Sequence, residues 1–555
     1  MKTKLFLILI ALLSSISFAV ISSPAAGKHT DELIYATESM GSDNFSFLGC
    51  LPPAWAQITN DRLIRYNYND EKIGYYPMLA EKYEFSSDFK TFDVYLRKGI
   101  EWQGGYGELT TDDVQYTFEL QANGEKGSWQ AWWWGPTDQG GFIKSTEAVD
   151  RYHFRFNLSA PPYPAWLSDL CTPFMGIVCK KYVEKVGLDK AIEKPIGTGA
   201  WRLIEHVPGS YMKFERNENY YGHKPDFKFL TIKDVPDKDT QIAMLSTGDV
   251  DIIGVSPDKF SQVKAAGFKL FSIPEATGTY LLFGGQLLST DPAFDPTVPW
   301  ASHTDEPDDS AWNLRALKVR KALNLAINRK PIYKVIMHGA CTPMTTYNWP
   351  PSIPGYKSEW KEYPYDPDQA KKLLSEAGYP NGFQKPITMY IDSGNTYAGS
   401  TGKEMALAIA NDFEAIGLKV HRQIIDGSAF NDLWYAGKKD AWCMSAMYLE
   451  LYPEVTMMWP WLLSSTTETH EAFMHPEFDA IIDEVGQSMT KSEAEKIKIA
   501  QSGMDWIYAN YMFAPIAFTN KTSAFGPKIK DIPRYEKYAQ FSEPGVTFRF
   551  VTRAK

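Results

Sequence analysis

Three blocks in the middle of the chain, here called the signature blocks, decide its interpretation: PIGTGAWRLIEHVPG at 195–209, FERNENYYG at 214–222 and DVPDKDTQIAMLSTGDVDI at 234–252. In the first block, Gly197 and Gly199 have the spacing of a dinucleotide-binding loop, but Arg202 stands where that loop needs its third glycine. The block therefore predicts an ordinary turn and no nucleotide site. The function of the block is indicated by the sequence on either side of it.

On the N-terminal side, residues 58–120 combine a strand pattern with the start of a helix. Phe92, Val94 and Leu96 alternate with more polar residues, which is the period of two expected of a half-buried strand. The TTDD run at 110–113 supplies capping side chains and early negative charge for a helix that follows. We therefore expect a strand and then a helix in this region.

On the C-terminal side, the segment YDPDQAKKLLSEAGYPNGF at 365–383 has the marks of a capped helix. Asp366 can cap its N-terminus, Pro367 fits the first turn, Gln369 completes a capping box and Gly378 ends the helix. Further helices are predicted at 315–329, at 403–418 and from 492 towards 512. Strands and helices thus interleave without sequence repeats, which indicates the α/β fold class.

In this order, the blocks resemble the family 5 extracellular solute-binding proteins, which feed peptides, nickel complexes and oligosaccharides to ABC importers. The resemblance extends over about residues 34–541 and includes LAE at 79–81, LRKG at 96–99 and the helix at 315–329, where Asn328 replaces the family's usual aspartate. It implies a two-lobed periplasmic-binding-protein fold (class II, cluster C type) with an extra subdomain inserted in the first lobe. It also implies that the protein is not an enzyme, needs no cofactor and delivers its solute to a membrane-embedded ABC permease.

The resemblance further implies a division of the chain that no local pattern reveals. Lobe I is expected to be discontinuous and lobe II continuous. The expected parts are a signal peptide at 1–19, lobe I at 30–75, 195–275 and 520–555, the inserted subdomain at 76–194, and lobe II at 276–519.

The N-terminus has the pattern of a secretory signal peptide. Two lysines precede an apolar run from Leu5 to Leu13, and Ser17-Phe18-Ala19 offers a cleavage site, with a second possible site ending at Ala26. The apolar run is shorter than the ~20 residues that span a bilayer. Because the first cysteine is Cys50, no lipid-carrying cysteine follows the signal, and we expect a free periplasmic protein.

Composition narrows the function classes. The chain has 555 residues, 44% of them hydrophobic, which allows a large core. Its net charge of −10 argues against a nucleic-acid partner, because recognition of a phosphate backbone needs a basic surface. We expect a monomer whose partners are a small-molecule ligand and the permease.

The five cysteines predict at most one local disulfide. Cys171 and Cys179 are the closest pair in sequence, and exported proteins can form such bonds. The chain has no CxxC motif, and its nine histidines do not cluster with cysteines at zinc spacing. We therefore expect a disulfide between Cys171 and Cys179 and no structural metal.

Candidate ligand-binding residues come first from the strand ends that the family uses. These are Ser39 after the first strand, Thr279 and Tyr280 at the entry to lobe II, and the stretch 442–461. Peptide-binding members carry an aspartate ahead of a proline in that stretch, and here Leu449 occupies the aligned position. Glu450 is the nearest carboxylate, but strand alternation would turn it to the opposite face. Peptide binding is therefore the second interpretation.

The aromatic content favours a sugar. The chain has 17 tryptophans, and flat aromatic rings cover the apolar faces of sugars well. The first interpretation is therefore an oligosaccharide ligand, although for any single tryptophan packing in the core is the more usual outcome. A secreted two-carboxylate glycoside hydrolase is a remote third possibility. The aromatic and loop candidates are Trp133, Asn348, Trp349, Tyr448, Trp459 and Trp461.

Overall fold

The computed structural model describes residues 30–40, 45, 55–67, 74–123, 143–164, 166–172, 175–392, 399–425, 429, 433, 441–450, 455–456, 459, 463, 465, 473–532 and 548–554, with 399–400 and 446–450 described by their backbone alone. Within these ranges, no helix combines the length and the apolar character needed to cross a bilayer.

The strands are β1 (Glu32–Thr37), β2 (Ile64–Asn67), β3 (Gly74–Pro77), β4 (Ala80–Phe85), β5 (Thr91–Leu96), β6 (Ile143–Ala148), β7 (His153–Leu158), β8 (Trp201–Val207), β9 (Tyr211–Arg216), β10 (Phe229–Asp234), β11 (Ile252–Gly254), β12 (Leu270–Phe283), β13 (Cys341–Pro343), β14 (Ile387–Asp392), β15 (Val420–Ile425), β16 (Cys443–Glu450), β17 (Ala514–Phe525), β18 (Ile529–Asp531) and β19 (Thr552–Arg553).

The helices are α1 (Ala56–Thr59), α2 (Thr111–Gln121), α3 (Trp166–Leu170), α4 (Lys180–Val186), α5 (Leu188–Glu193), α6 (Lys238–Thr247), α7 (Phe260–Ala265), α8 (Ala311–Ala326), α9 (Arg329–Pro331), α10 (Pro367–Glu376), α11 (Gly399–Ala415), α12 (Pro476–Gly486) and α13 (Glu493–Asn510). A π-helical turn at Ile332–Ile336 continues α9.

One large sheet organises the molecule, with strand order β15-β14-β16-β12-β17-β11-β1-β10-β9-β8 and with β13 paired to β17. We call β1 and β8 to β11, with the segments between β8 and β11, the first half of the sheet, and β13 to β16, with the segments between and directly after them, the second half. Parallel pairs occur in both halves, between β1 and its neighbours β10 and β11 and between β14 and its neighbours β15 and β16. The long strands β12 and β17 join the two halves.

A smaller antiparallel sheet, β4-β5-β7-β6, lies within residues 80–158. The alternation predicted at Phe92, Val94 and Leu96 is confirmed, because all three side chains are buried. Asp93, which the pattern places on the other face, is also mostly buried and pairs with Arg155 and His153 at 2.8 and 2.6 Å. These partners hold the pKa of the Asp93 carboxyl below its usual value, although its burial acts the other way.

In the signature blocks, Gly197 and Asp251 are held closely by segments that are distant in sequence. An added Cβ at Gly197 would lie 1.8 Å from the carbonyl oxygen of Thr59, and the N–H of Gly199 donates to that same oxygen at 2.9 Å. In the third block, Asp251 accepts the N–H of Ile34 and the ammonium group of Lys528, each at 2.7 Å. The blocks thus fix strands of the first half that are far apart in sequence.

The predicted helices are confirmed, with small shifts of their ends, but the N-terminus of α10 is capped by Asp366 without the predicted capping box from Gln369. Asp366 accepts the N–H of Gln369 at 2.9 Å at the start of α10. Ser492 and Glu495 form a reciprocal capping box at the start of α13. Helix α8 begins at Ala311, four residues earlier than predicted from 315, because the Ser310 hydroxyl caps it.

The predicted disulfide between Cys171 and Cys179 is not formed in this structure. Cys179 is a buried thiol whose burial raises its pKa to about 11. Cys171 directly follows α3, whereas Cys179 directly precedes α4. The chain between them pairs with other residues, since the N–H of Ile177 donates to the carbonyl of Asp61 at 3.0 Å, so proximity in sequence does not bring the two sulfurs together.

Candidate functional site: the strand crossing between the halves

Two strands carry the backbone pairing from one half of the sheet to the other. Residues 270–273 of β12 pair with 521–524 of β17, beside β11 of the first half. Residues 277–281 of β12 pair with 514–519 of β17, beside β16 and β13 of the second half. The register breaks between Ile273 and Thr277. We call residues 274–276 together with Asn520 the strand crossing.

Glu275 occupies the break with a left-handed backbone, at φ +54°. This conformation is disfavoured for a residue with a side chain. Its N–H donates to the side-chain oxygen of Asn520 at 3.2 Å instead of to a backbone carbonyl of β17, and the hydroxyl of Ser352 donates to its carboxylate. The Glu275 residue is only 9% exposed.

A second contact joins the small sheet's region to the second half. The hydroxyl of Tyr163, which follows β7, donates to the carbonyl of Thr456 at 2.9 Å. Tyr163 is buried, and the hydrophobic cluster that contains it runs from Phe92 and Trp166 to Trp459 and Phe478. The region of the small sheet and the second half of the large sheet are therefore in contact in this structure.

The carboxyl ends of parallel strands form the edge where α/β proteins bind ligands. At the end of β1, Ser39 is exposed. Close to it, Lys238 pairs with Glu38 and donates to the carbonyl of Gly254, at the end of β11, at 2.9 Å. This edge of the first half is therefore polar and charged.

In the second half, the register of β12 and β16 brings three predicted residues together. Thr279 lies opposite Tyr448, and Thr277 lies opposite Glu450. The Thr279 side chain is buried and donates to the carbonyl of Ala517 at 2.6 Å, so its hydroxyl serves the sheet. For Tyr448 and Glu450 the structure describes the backbone alone.

Several predicted aromatic residues lie in the hydrophobic core. Tyr280 packs between Tyr347 and Phe513, with ring centroids 5.3 and 5.6 Å away. Trp349 packs 5.5 Å from Trp360, and Trp459 packs 5.2 Å from Phe478.

Each of these predicted rings is buried, so core packing accounts for their positions. Asn348 is buried too, with a left-handed φ of +52°. Trp133 and Trp461 lie outside the described residues. The assignment of these residues to a ligand remains a prediction.

Sequence reasoning missed the residues that the structure singles out at the crossing: Glu275, Ser352, Asn520 and Tyr163. A Pro-Glu pair inside an apolar strand pattern is an unusual sequence feature and could have marked Glu275. The other three depend on contacts across large sequence separations. Among the described residues, no three His, Cys, Asp or Glu side chains come together as metal ligands would.

The two-lobed fold is the one found in periplasmic solute-binding proteins. The structure superposes with a TM-score of 0.76 on the ABC transporter-associated periplasmic binding protein DppA from Helicobacter pylori in complex with the peptide STSA, at 22% identity, covering 94% of this chain and 98% of that one. The oligopeptide-binding protein AppA from Bacillus subtilis, in complex with a nonapeptide, superposes with a TM-score of 0.74 at 19% identity, covering 96% and 100%. The predicted fold class is confirmed.

The chain belongs to the bacterial extracellular solute-binding proteins, family 5, whose family model matches residues 74–469. It is 26% identical to heme-binding protein A of Haemophilus influenzae over 546 residues, which is 92% of each chain. It is 27% identical to the dipeptide-binding protein of Escherichia coli over 377 residues, 65% of this chain and 64% of the relative. It is therefore a periplasmic solute-binding protein of an ABC importer.

Proposed function

We propose that the protein captures a short peptide between its two lobes and delivers it to the membrane-embedded permease. The observation that carries the proposal is the strand crossing, where two strands join the halves and the regular ladder is interrupted at Glu275. Domain closure needs a few residues that absorb torsional change between stiff parts, and a ligand shifts such an equilibrium by contacting both parts.

A peptide is proposed first because the argument for a sugar depended on tryptophans that are available to a ligand. Trp349, Trp442 and Trp459 are buried and pack against other aromatic rings, so core packing alone accounts for their positions. Relatives are named for binding dipeptides and glutathione, and solved neighbours hold peptides. An oligosaccharide remains the second candidate, supported by the tryptophan-rich stretches at 129–134 and 459–461.

The chain division predicted from the resemblance is part of this proposal. Lobe I would comprise 30–75, 195–275 and 520–555, with the subdomain 76–194 inserted and lobe II at 276–519. The boundaries at 275 and 520 fall at the strand crossing, which supports them. We further propose that the signal peptide is removed after Ala19 or Ala26 and that the mature protein acts as a monomer.

A thermal-shift and calorimetry panel tests the ligand class. The mature protein would be mixed with di- to pentapeptides, glutathione, heme and gluco- or manno-configured oligosaccharides. A ligand at a hundredfold excess over its Kd stabilises the folded state by about 2.7 kcal/mol, which gives a clear rise in Tm. We expect peptides to produce it. A rise with oligosaccharides and none with peptides would reverse the choice, and turnover of any of these compounds would contradict a binding role.

A further inference from the structure

The backbone at Glu275 belongs to neither half of the sheet. The residues before it, up to Ile273, pair in the first half, and the residues from Thr277 onward pair in the second half. A change in the angle between the halves must therefore change the torsions of residues 274–276. A left-handed φ of +54° at a glutamate is a conformation that the surroundings have to hold.

Two side chains hold Glu275 in this conformation. The Asn520 side chain accepts its N–H at 3.2 Å, and Asn520 itself is fixed to the second half because its own N–H donates to the carbonyl of Ala340 at 3.0 Å. The Ser352 hydroxyl donates to the Glu275 carboxylate. Ser352 lies in the loop after β13 and is therefore part of the second half.

The Ser352 hydroxyl is the donor that the structure gives the Glu275 carboxylate, and the bond is partly buried although Ser352 itself is exposed. Among the described residues, no lysine, arginine or histidine forms an ion pair with Glu275. A carboxylate that is mostly buried loses much of its hydration, so a charge-assisted hydrogen bond to it is strong. Because Ser352 is exposed, water replaces part of this bond when it breaks, and the remaining difference favours whichever arrangement of the halves permits the bond.

We propose that Glu275 and Ser352 form a clasp that holds the strand crossing in the closed arrangement, which makes Glu275 a positioning residue for ligand capture. The clasp links the left-handed φ of Glu275 to the position of the second half, which carries Ser352. Losing it shifts the equilibrium towards the open form, and the apparent Kd rises by the factor by which the closed fraction falls. This inference rests on one part of the proposed function, namely that the protein captures its ligand by closing the two halves.

The test measures closure without a ligand. Nitroxide labels would be attached through noncanonical residues at the exposed positions Lys224 and Lys371, one on each half, so that native cysteines stay untouched. The distance distribution then gives the open-to-closed ratio. We expect Ser352→Ala and Glu275→Ala each to raise this ratio about tenfold. The double variant should add nothing further, and Glu275→Gln, which keeps an acceptor oxygen, should stay within about threefold of the wild type.

A matched pair in the same loop region provides the control. The Ser358 hydroxyl donates to the Glu359 carboxylate at 3.5 Å, but this pair is exposed and makes no recorded bond to Glu275 or Asn520. Ser358→Ala should leave the ratio unchanged. The clasp is refuted if Ser352→Ala lowers Tm but moves the ratio less than twofold, or if the wild type has no closed population. If Ser352→Ala shifts the open-to-closed ratio but no peptide binds in the panel, the clasp is supported and the peptide is rejected as the ligand. If the ratio does not change but a peptide binds, only the clasp is rejected.

Discussion

The signature blocks and the strand crossing lie in the same large sheet, but their backbones are held in opposite ways. At Gly197, the Thr59 carbonyl leaves no room for a side chain. Asp251 is held by a hydrogen bond from Ile34 and an ion pair with Lys528, both from distant segments. At Glu275, the ladder is interrupted and two single hydrogen bonds replace it. The difference indicates stiff halves joined by a short adjustable segment, the arrangement that domain closure requires.

The strongest way to break this comparison is to crowd the signature blocks. Gly197→Ala places a methyl group 1.8 Å from the Thr59 carbonyl oxygen, which forces backbone movement. We expect a loss of about 4 kcal/mol or more in the free energy of unfolding, measured by urea denaturation. Gly74→Ala is the control, because its added Cβ would have its nearest neighbour at 3.9 Å. Equal effects of the two changes would show that the first half is not tightly packed at this turn.

Removing a buried charge from the same region should have the next largest effect. Lys528→Met leaves the Asp251 carboxylate without its ammonium partner, where the two side chains are 9% and 3% exposed. Breaking a buried pair in this way costs about 3 kcal/mol, which would lower the urea midpoint at an unchanged m-value. Lys496→Met removes one partner of a pair with an exposed glutamate and should change the midpoint little. A small loss for Lys528→Met would mean that water reaches Asp251.

The contact that closes the two parts should affect binding more than stability. Tyr163→Phe removes the hydrogen bond to the Thr456 carbonyl, worth about 1 kcal/mol. Because this bond forms between parts that separate on opening, we expect the Kd of the ligand found in the panel to rise about fivefold. Tyr83→Phe removes a hydrogen bond of the same length, to Tyr75, within one part. Tyr83→Phe should lower Tm without changing the Kd. If the Kd changes in both variants, the Tyr163 bond has no special role in closing the two parts.

The smallest effect concerns pH and a site away from the crossing. Burial lowers the pKa of His475 below its usual value, and its Nδ1 accepts the N–H of Glu477 at the start of α12. Because the unfolded chain binds this proton more readily, stability should fall by up to about 1 kcal/mol as pH decreases from about 6.5 to 5. His475→Asn should flatten this slope in urea denaturation at several pH values.

The groups facing His475 are Asp308, Glu477, Asp479 and Arg320. The three carboxylates raise the pKa of His475, and burial and Arg320 lower it. The open-to-closed ratio should stay constant over the same pH range, because none of these groups belongs to the crossing. A stability slope that persists unchanged in His475→Asn would assign the pH dependence to the carboxylates.

Local chemistry made part of the fold predictable from the sequence. Asp366 and Ser492 cap helices through bonds to residues three positions away, so the sequence alone contains the signal. The crossing depends on bonds between residues such as Glu275 and Asn520, 245 positions apart, which no local pattern encodes. The same limit explains the wrong disulfide at Cys171 and Cys179. It also explains why the packing partner of Trp459 was not predictable, since that ring packs against Phe478 of the separate helix α12.

The most direct test of the account is small-angle X-ray scattering from the mature protein, with and without a saturating ligand from the panel. If the halves close about the strand crossing, the radius of gyration must fall on binding, and the ligand-free Ser352→Ala variant must start from a larger value than the wild type. Scattering curves that superimpose at saturation, with binding confirmed by calorimetry, would contradict capture by closure.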